Sequence, residues 1–171
     1  MSGPHPPQVV VLVHGLWFGP WSLGLLARRL RQAGFETRRF RYRTTRAGLA
    51  EHALALRQFV GSADSGPLHF VAHSLGGLVT LRMLADATDL PGGRVVLLGS
   101  PLGGSVAARK SARLPGAGRL LGAAQPALES GFARLAADRE IGVIAGSQSH
   151  RPSLEHKQRK SFVPTRAFPW P

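Results

Sequence analysis

The feature that most constrains the fold is an apolar segment joined to a helical segment by a turn of only a few residues. Residues 68–72 form a short apolar run typical of a buried strand, and 73–76 lead directly into a segment with apolar residues at helical spacing. Ala72 and Gly76, two positions before and after Ser74, are small, so a strand and a helix can approach closely there. The pattern predicts a strand, a tight turn and a helix, with Ser74 at the tip of the turn.

Further segments continue this alternation of strands and helices. Apolar runs and one edge-type pattern predict strands at residues 9–13, 35–42, 94–98 and 140–145. Helical spacing predicts helices at residues 21–31, with Ser22 as N-cap, at 46–60, and more loosely around 126–137. Strands that alternate with helices indicate βαβ units. The predicted fold class is therefore α/β, with one mainly parallel sheet flanked by helices.

The composition of the chain changes after Ala145. Residues 148–171 show neither helical nor strand periodicity, and four prolines interrupt them: Pro152, Pro164, Pro169 and Pro171. We therefore predict an α/β core at residues 1–147 and a poorly ordered tail at 148–171. Without a further strand, the sheet would be incomplete at its C-terminal edge, and the fifth strand would be an exposed edge prone to aggregation.

Arginine dominates the charge of the chain. The formal net charge is +13, and eight arginines fall between Arg28 and Arg46. Two interpretations remain open: a solvated basic surface, or attraction to an anionic partner such as a lipid headgroup, a membrane surface or nucleic acid. The sequence contains no recognisable nucleic-acid-binding motif, so a specific nucleic-acid partner is not predicted.

Several classes of protein are not indicated. The chain has no cysteine, which excludes disulfides, cysteine-based zinc sites and a cysteine nucleophile. It has no H-E-x-x-H or comparable ligand cluster, no P-loop and no dinucleotide fingerprint, so neither a metal nor a cofactor is predicted. The N-terminus lacks the features of a signal peptide, and no apolar run approaches the length of a membrane span. The expected location is therefore cytoplasmic.

The turn at Ser74 and the loop after the first strand together offer the parts of a nucleophilic site. The serine hydroxyl would lie at the carboxyl edge of the sheet, with the N–H of Leu75 at the positive end of the following helix. The loop His14-Gly15-Leu16 offers a second donor to a developing oxyanion, the N–H of Leu16, since Gly15 allows a tight path. Aromatic residues after this loop are candidates for the wall of an apolar acyl pocket: Trp17, Phe18 and Trp21.

Three stretches carry a resemblance to a known family: VVLVHG at residues 10–15, VAHSLGG at 71–77 and VVLLGSPLGGS at 95–105. In this order and context they resemble the α/β-hydrolase family, and in particular its small bacterial serine esterases and lipases. The resemblance implies a serine hydrolase that acts on carboxylic esters, including lipid esters, through acylation of Ser74. It also implies a strand order of edge strand, first strand, the strand before Ser74, then the fourth and fifth.

The acid and the base that such an enzyme needs are less evident. In the resembling family the chain order is nucleophile, acid, then histidine. Four acids precede the fourth or fifth strand and would lie at the wrong end of the sheet: Asp86, Asp89, Asp138 and Glu140. Glu155 is the acid that follows the fifth strand, and His150 and His156 are the histidines available as the base. Glu155 and His156 are adjacent, so no strand separates them, and we expect a truncation or frameshift just after Ser147.

Three functions remain open at this point. The first is a working esterase with an atypical base, and the second is an inactive hydrolase remnant that folds and binds acyl ligands. The third is an anion-binding protein that uses the basic run between Arg28 and Arg46. A small-molecule ester or lipid is the expected partner in the first two, and the sequence does not predict an oligomeric state.

Overall fold

The computed structural model describes residues 7–61, 66–87, 89–105, 121–131, 139–146 and 160–164. Its strands are β1 (Val9–Val13), β2 (Glu36–Phe40), β3 (Leu68–His73), β4 (Arg94–Leu98), β5 (Glu140–Gly146) and β6 (Lys160–Pro164). Its helices are α1 (Gly24–Gln32), α2 (Leu49–Val60), α3 (Leu75–Asp86) and α4 (Gln125–Ser130), and short 3-10 turns precede two of them at Pro20–Leu23 and Gly122–Ala124. None of these helices is long and apolar enough to cross a membrane.

The strands form one sheet in the order β2-β1-β3-β4-β5-β6. Neighbouring strands are parallel from β2 to β5, and β6 runs antiparallel to β5. The predicted α/β class and the predicted order of the first five strands are therefore confirmed. Because parallel strands have their carboxyl ends at one edge of a sheet, the turns that follow β1, β3 and β4 all lie at that edge.

The far edge of the sheet differs from the prediction. Lys160–Pro164 forms β6, which pairs with residues 142–146 of β5. The expectation that β5 would be an uncovered edge was wrong. Pro164 stands at the last position of β6, where a missing N–H is tolerated, and does not prevent the strand from forming. The other residues of the predicted tail, 148–159 and 165–171, lie outside the described residues.

β1 is buried on both faces, as expected for an inner strand of a parallel sheet. Val11 and Val13 belong to the larger hydrophobic core, which includes residues of α2 and α3. Val10 and Leu12 belong to a smaller cluster on the opposite face, which includes residues of α1. Helices thus cover the centre of the sheet on both sides, and this packing fixes where the turns after β1 and β3 lie.

The helix on the smaller cluster begins later than the sequence predicts. The hydroxyl of Ser22 donates a hydrogen bond to the carbonyl of Gly19 at 2.8 Å, within a 3-10 turn that Pro20 helps to start. α1 then begins at Gly24. The prediction of Ser22 as a helix N-cap was wrong, because its hydroxyl is used inside the preceding turn.

Candidate functional site

Ser74 occupies the turn between β3 and α3 and has an unusual backbone conformation. Its φ is 52° and its ψ is −122°. A residue other than glycine in this region costs on the order of 1–3 kcal/mol, and it persists only where the surrounding structure imposes it. Two hydrogen bonds hold the turn: the N–H of Ser74 donates to the carbonyl of Leu98 in β4 (2.9 Å), and the N–H of Gly77 donates to the carbonyl of Ser74 (3.0 Å). The sharp turn expected at Ser74 is thus present and is held by two elements.

The loop after β1 lies directly against this turn. A Cβ added to Gly15 would lie 3.0 Å from the Cβ of Ser74 and 2.7 Å from Nδ1 of His73. A Cβ added to Gly76 would lie 2.6 Å from the backbone carbonyl oxygens of both Val13 and His14. Real Cβ atoms do not approach this closely, so each glycine permits a contact that a side chain would block. The two predicted pieces of the site, far apart in sequence, are in contact.

The N–H groups of the loop after β1 have different roles. The N–H of Trp17 donates to Oγ1 of Thr44 (3.2 Å), and the N–H of Phe18 donates to the carbonyl of Gly15 (3.2 Å). Trp17 is the other described non-glycine residue with a positive φ, at 61°. The loop is therefore tightly turned. The first N–H group after Gly15 is that of Leu16, which takes part in neither of these two hydrogen bonds.

His14 is buried beneath this loop, with 1% of its surface exposed. Its Nδ1 is 3.0 Å from the carbonyl oxygen of Gly15, which can only accept, so Nδ1 carries the proton in that hydrogen bond. The ring stacks on Tyr42 at 4.6 Å, and the Tyr42 hydroxyl donates to the carbonyl oxygen of His14 at 2.8 Å. Burial lowers the pKa of His14 and so favours the neutral ring. The hydrogen bond to Gly15 opposes this shift in part. These contacts make His14 a support for the loop.

Two aromatic side chains line a cavity of about 530 Å³ beside the site. The Phe18 ring meets the His73 ring edge-to-face at 5.8 Å, so Phe18 lies next to the turn that carries Ser74. Trp21 lies 6.3 Å from Phe18 and lines the same cavity. The predicted pocket residue Phe18 thus faces the cavity, whereas Trp17 is 65% exposed and is not among its lining residues.

The cavity also includes charged residues that the sequence analysis did not assign to the site. Arg39, Arg41 and Arg43 also line it. Phe40 is buried and Tyr42 half-buried between them, so the five residues alternate between core and surface. A period of two is the signal that would have placed these arginines on one side of an extended segment.

Ser100, which follows β4, is a further group near the turn at Ser74. Its Oγ is buried, and among the described residues it has no hydrogen-bond partner. A Cβ added to Gly77 of α3 would overlap this hydroxyl. Ser100 therefore packs against α3, the helix that begins at Leu75, and its side chain occupies the space beside Gly77.

The predicted acid and base candidates, His150, Glu155 and His156, lie outside the described residues. Asp86 and Asp89 pair with Arg82 and Arg57 at the amino-terminal side of β4, and Glu140 pairs with Arg94 at the start of β5. Such positions are at the opposite edge of the sheet from Ser74. Within the described ranges, no group of three or more histidine, aspartate or glutamate side chains is placed to hold a metal ion.

Comparison with known proteins agrees with this architecture. A metagenomic carboxyl esterase superposes with a TM-score of 0.65 and 22% identity, over 78% of this chain and 48% of that one. A monoacylglycerol lipase from Paleococcus ferrophilus superposes with a TM-score of 0.50 and 24% identity, over 65% of this chain and 49% of that one. The chain thus spans about half the length of these structures, and at such identities they support the fold alone. No curated protein sequence matches it.

The match to a protein family covers more of the chain than these structures do. The model of the alpha/beta hydrolase family matches residues 10–170, which includes β1, the turn at Ser74 and the segment that contains β6. The sheet order, the strained turn at Ser74 and the loop packed against it are the structural counterparts of that match. The chain belongs to the α/β-hydrolase family.

Proposed function

We propose that this chain is a serine hydrolase of carboxylic esters and that Ser74 is its nucleophile. The observation that carries the proposal is the conformation of Ser74, with φ at 52°, at the tip of a turn that contacts the loop after β1. A strained turn of this kind exposes a serine Oγ at the carboxyl edge of a sheet. Solved structures of the same fold include proteins named as carboxyl esterase and monoacylglycerol lipase, which favours an ester as substrate.

In this proposal two backbone N–H groups stabilise the oxyanion that forms when Ser74 attacks. Leu75 is the first residue of α3, and the N–H groups of a first helical turn have no carbonyl partner within the helix. In the loop after β1, the N–H groups of Trp17 and Phe18 are engaged, which leaves that of Leu16 as the second donor. Preorganised donors of this type contribute roughly 3–4 kcal/mol each to the transition state.

The base in this proposal is His156 or His150, and Glu155 is the acid that orients it. The histidine removes the proton from Oγ of Ser74 as the Oγ–carbon bond forms, and it then gives that proton to the leaving alkoxide. Water, activated by the same histidine, cleaves the acyl-serine and releases the carboxylic acid. The described histidines near the turn, His14 and His73, are neighbours of the site, and burial lowers the pKa of each.

A fluorophosphonate probe tests the nucleophile directly, since it phosphorylates a serine only when that serine is activated. We expect the full-length chain to be labelled, Ser74→Ala to be unlabelled, and Ser100→Ala to be labelled like the wild type. The Ser100 variant is the matched control because it removes a nearby buried hydroxyl. A folded wild-type chain that is not labelled, or a Ser74→Ala chain that still is, would overturn the proposal.

The same probe distinguishes the base candidates. His150→Ala and His156→Ala are compared with His5→Ala, which lies far from Ser74 in sequence and precedes β1. Removal of the true base should slow labelling by about 10²-fold or more, which is the usual contribution of a general base. Equal labelling rates in all three variants would exclude both His150 and His156.

A further inference from the structure

The cavity lined by Phe18 and Trp21 is rich in positive charge. Arg39, Arg41 and Arg43 all line it, and their alternation with Phe40 and Tyr42 places them on the same side of their segment. The guanidinium of Arg39 donates to the backbone carbonyl of Pro20 at 3.4 Å, which links this segment to the one that carries Phe18 and Trp21. Three cations thus share a space of about 530 Å³.

No carboxylate compensates these charges within the described residues. The ion pairs there join other arginines to acids: Arg38 with Glu36, Arg57 with Asp89, Arg82 with Asp86, and Arg94 with Glu140. None of the residues that line the cavity is acidic. Three neighbouring guanidinium groups without a counter-charge repel one another, and an anion among them removes that repulsion.

The cavity also has apolar lining residues. Phe18 is 47% exposed and Trp21 is 73% exposed, although large aromatic side chains gain free energy when they are buried. A ligand with an apolar segment and an anionic end would match both the aromatic and the cationic residues of the cavity.

We infer that this cavity is a binding site for an anionic amphiphile, with its carboxylate or phosphate group held by Arg39, Arg41 and Arg43 and its apolar part against Phe18 and Trp21. Phe18, which lines the cavity, contacts His73, the residue before Ser74, so one lining residue of the cavity adjoins the turn that carries the proposed nucleophile. Together with the proposed function, on which this step rests, the preferred substrate is an ester that carries a carboxylate or phosphate group. The binding site itself does not depend on catalysis.

Binding is measured first, with n-hexyl phosphate as ligand and 1-hexanol as its neutral counterpart, by NMR titration at low and at about 0.15 M salt. The test variant replaces Arg39, Arg41 and Arg43 with glutamine. The matched control replaces Arg28, Arg29 and Arg46, which are exposed, belong to the same basic run and do not line the cavity. Glutamine replaces the arginines in both variants, so each loses three positive charges.

We expect the test variant to bind hexyl phosphate about tenfold or more weakly, since several charge-assisted hydrogen bonds are lost. The control variant and Ser74→Ala should bind as the wild type does. Equal weakening in both triple variants would show a diffuse basic surface and overturn the inference. So would hexanol binding as tightly as hexyl phosphate, or tight binding only to vesicles of anionic phospholipid.

Turnover then tests the substrate class with 4-nitrophenyl hydrogen glutarate and its neutral methyl ester. We expect kcat/KM to favour the anionic ester by about tenfold in the wild type and in the control triple variant, and this preference to vanish in the test variant. If Ser74 is not labelled by the fluorophosphonate but hexyl phosphate binding still needs the three arginines, the proposed function fails and the binding site stands. If Ser74 is labelled but the chain shows no preference for the anionic ester, the proposed function stands and the inferred substrate class is overturned.

Discussion

Gly15 and Ser74 are so close that a methyl group on Gly15 would lie 3.0 Å from the Cβ of the serine. The same methyl group would lie 2.7 Å from Nδ1 of His73. Since all three residues belong to the two segments that form the candidate site, any widening of this contact moves Ser74 relative to the loop after β1.

Gly15→Ala should therefore reduce fluorophosphonate labelling of Ser74 by about 10²-fold, because displacements near 1 Å have effects of that size on catalysis. The free energy of unfolding should fall by about 1–3 kcal/mol from overpacking. Gly103→Ala is the control, since its added Cβ meets no atom of the described residues within 4 Å. Unchanged labelling of Gly15→Ala would show that the loop does not position the site.

Gly77 and Ser100 should show strong energetic coupling. In Gly77→Ala the added Cβ overlaps the Ser100 side chain, with 2.6 Å to its Cβ, so the variant should be destabilised by about 1–3 kcal/mol. The double variant Gly77→Ala with Ser100→Gly removes the obstacle and should recover about half or more of that loss. Urea unfolding of the four proteins in a double-mutant cycle measures the coupling, and simple additivity would contradict the contact.

Tyr42 should make stability sensitive to alkaline pH. Burial raises the pKa of Tyr42 above its usual value near 10, so the folded chain holds the proton more tightly than the unfolded chain. Its stabilising contribution is complete below about pH 10 and is lost as the pH rises further. Tyr42→Phe should cost about 0.5–1.5 kcal/mol near neutral pH, because the hydrogen bond to His14 is lost, and should reduce the alkaline decline. An equal decline in both proteins would contradict this.

His52 should contribute to a loss of stability in weak acid. It is 5% exposed, its ring meets Tyr42 edge-to-face at 4.7 Å, and burial lowers its pKa, opposed in part by a hydrogen bond to Thr44 and the charge of Glu51. A lowered folded-state pKa gives stability that is present above about pH 6.5 and is lost as the pH falls. His52→Phe keeps the aromatic contact and should flatten the decline between about pH 6.5 and pH 5, by at most about 1.4 kcal/mol per pH unit. Parallel curves for the two proteins would be the contrary result.

β6 should protect the edge of the sheet. A chain that ends at Gly146 leaves the backbone groups of β5 without the antiparallel partner that Lys160–Pro164 provides. Because an uncovered edge strand pairs with other chains, we expect this shortened chain to aggregate, as measured by light scattering during refolding. A chain that ends at Pro164 retains β6 and is the control. If both shortened chains remained monodisperse, the edge would not need β6.

Much of the site could be predicted from the sequence because its parts follow from local rules. Small residues on both sides of Ser74 and a strand directly before it specify the turn, and the order of the first five strands came from the resemblance. The role of Ser22 was mispredicted because a serine hydroxyl can either cap a helix or bond to the backbone within a turn, and the sequence pattern is the same for both. β6 was missed because its pairing with β5 is a tertiary contact that a short segment next to proline does not reveal.

The arginine side of the cavity was missed for another reason. Net charge and the density of arginine indicated a basic surface, but those quantities do not say which side chains converge. The alternation of exposed and buried residues continues beyond the end of β2 at Phe40, so that Arg39, Arg41 and Arg43 are all exposed. Between them lies Tyr42, whose ring stacks against Phe40 and His14.

The hydrogen bond from Ser74 to Leu98 has a consequence for when the turn takes its shape as the chain is made. The chain emerges from the ribosome in sequence order, and β4 is synthesised after Ser74. Because the strained turn is tied to β4, a nascent chain acquires the full set of contacts that hold Ser74 only once that strand has been produced and has docked beside β3. The strained conformation of Ser74 is therefore a property of the folded sheet and not of the segment that carries it.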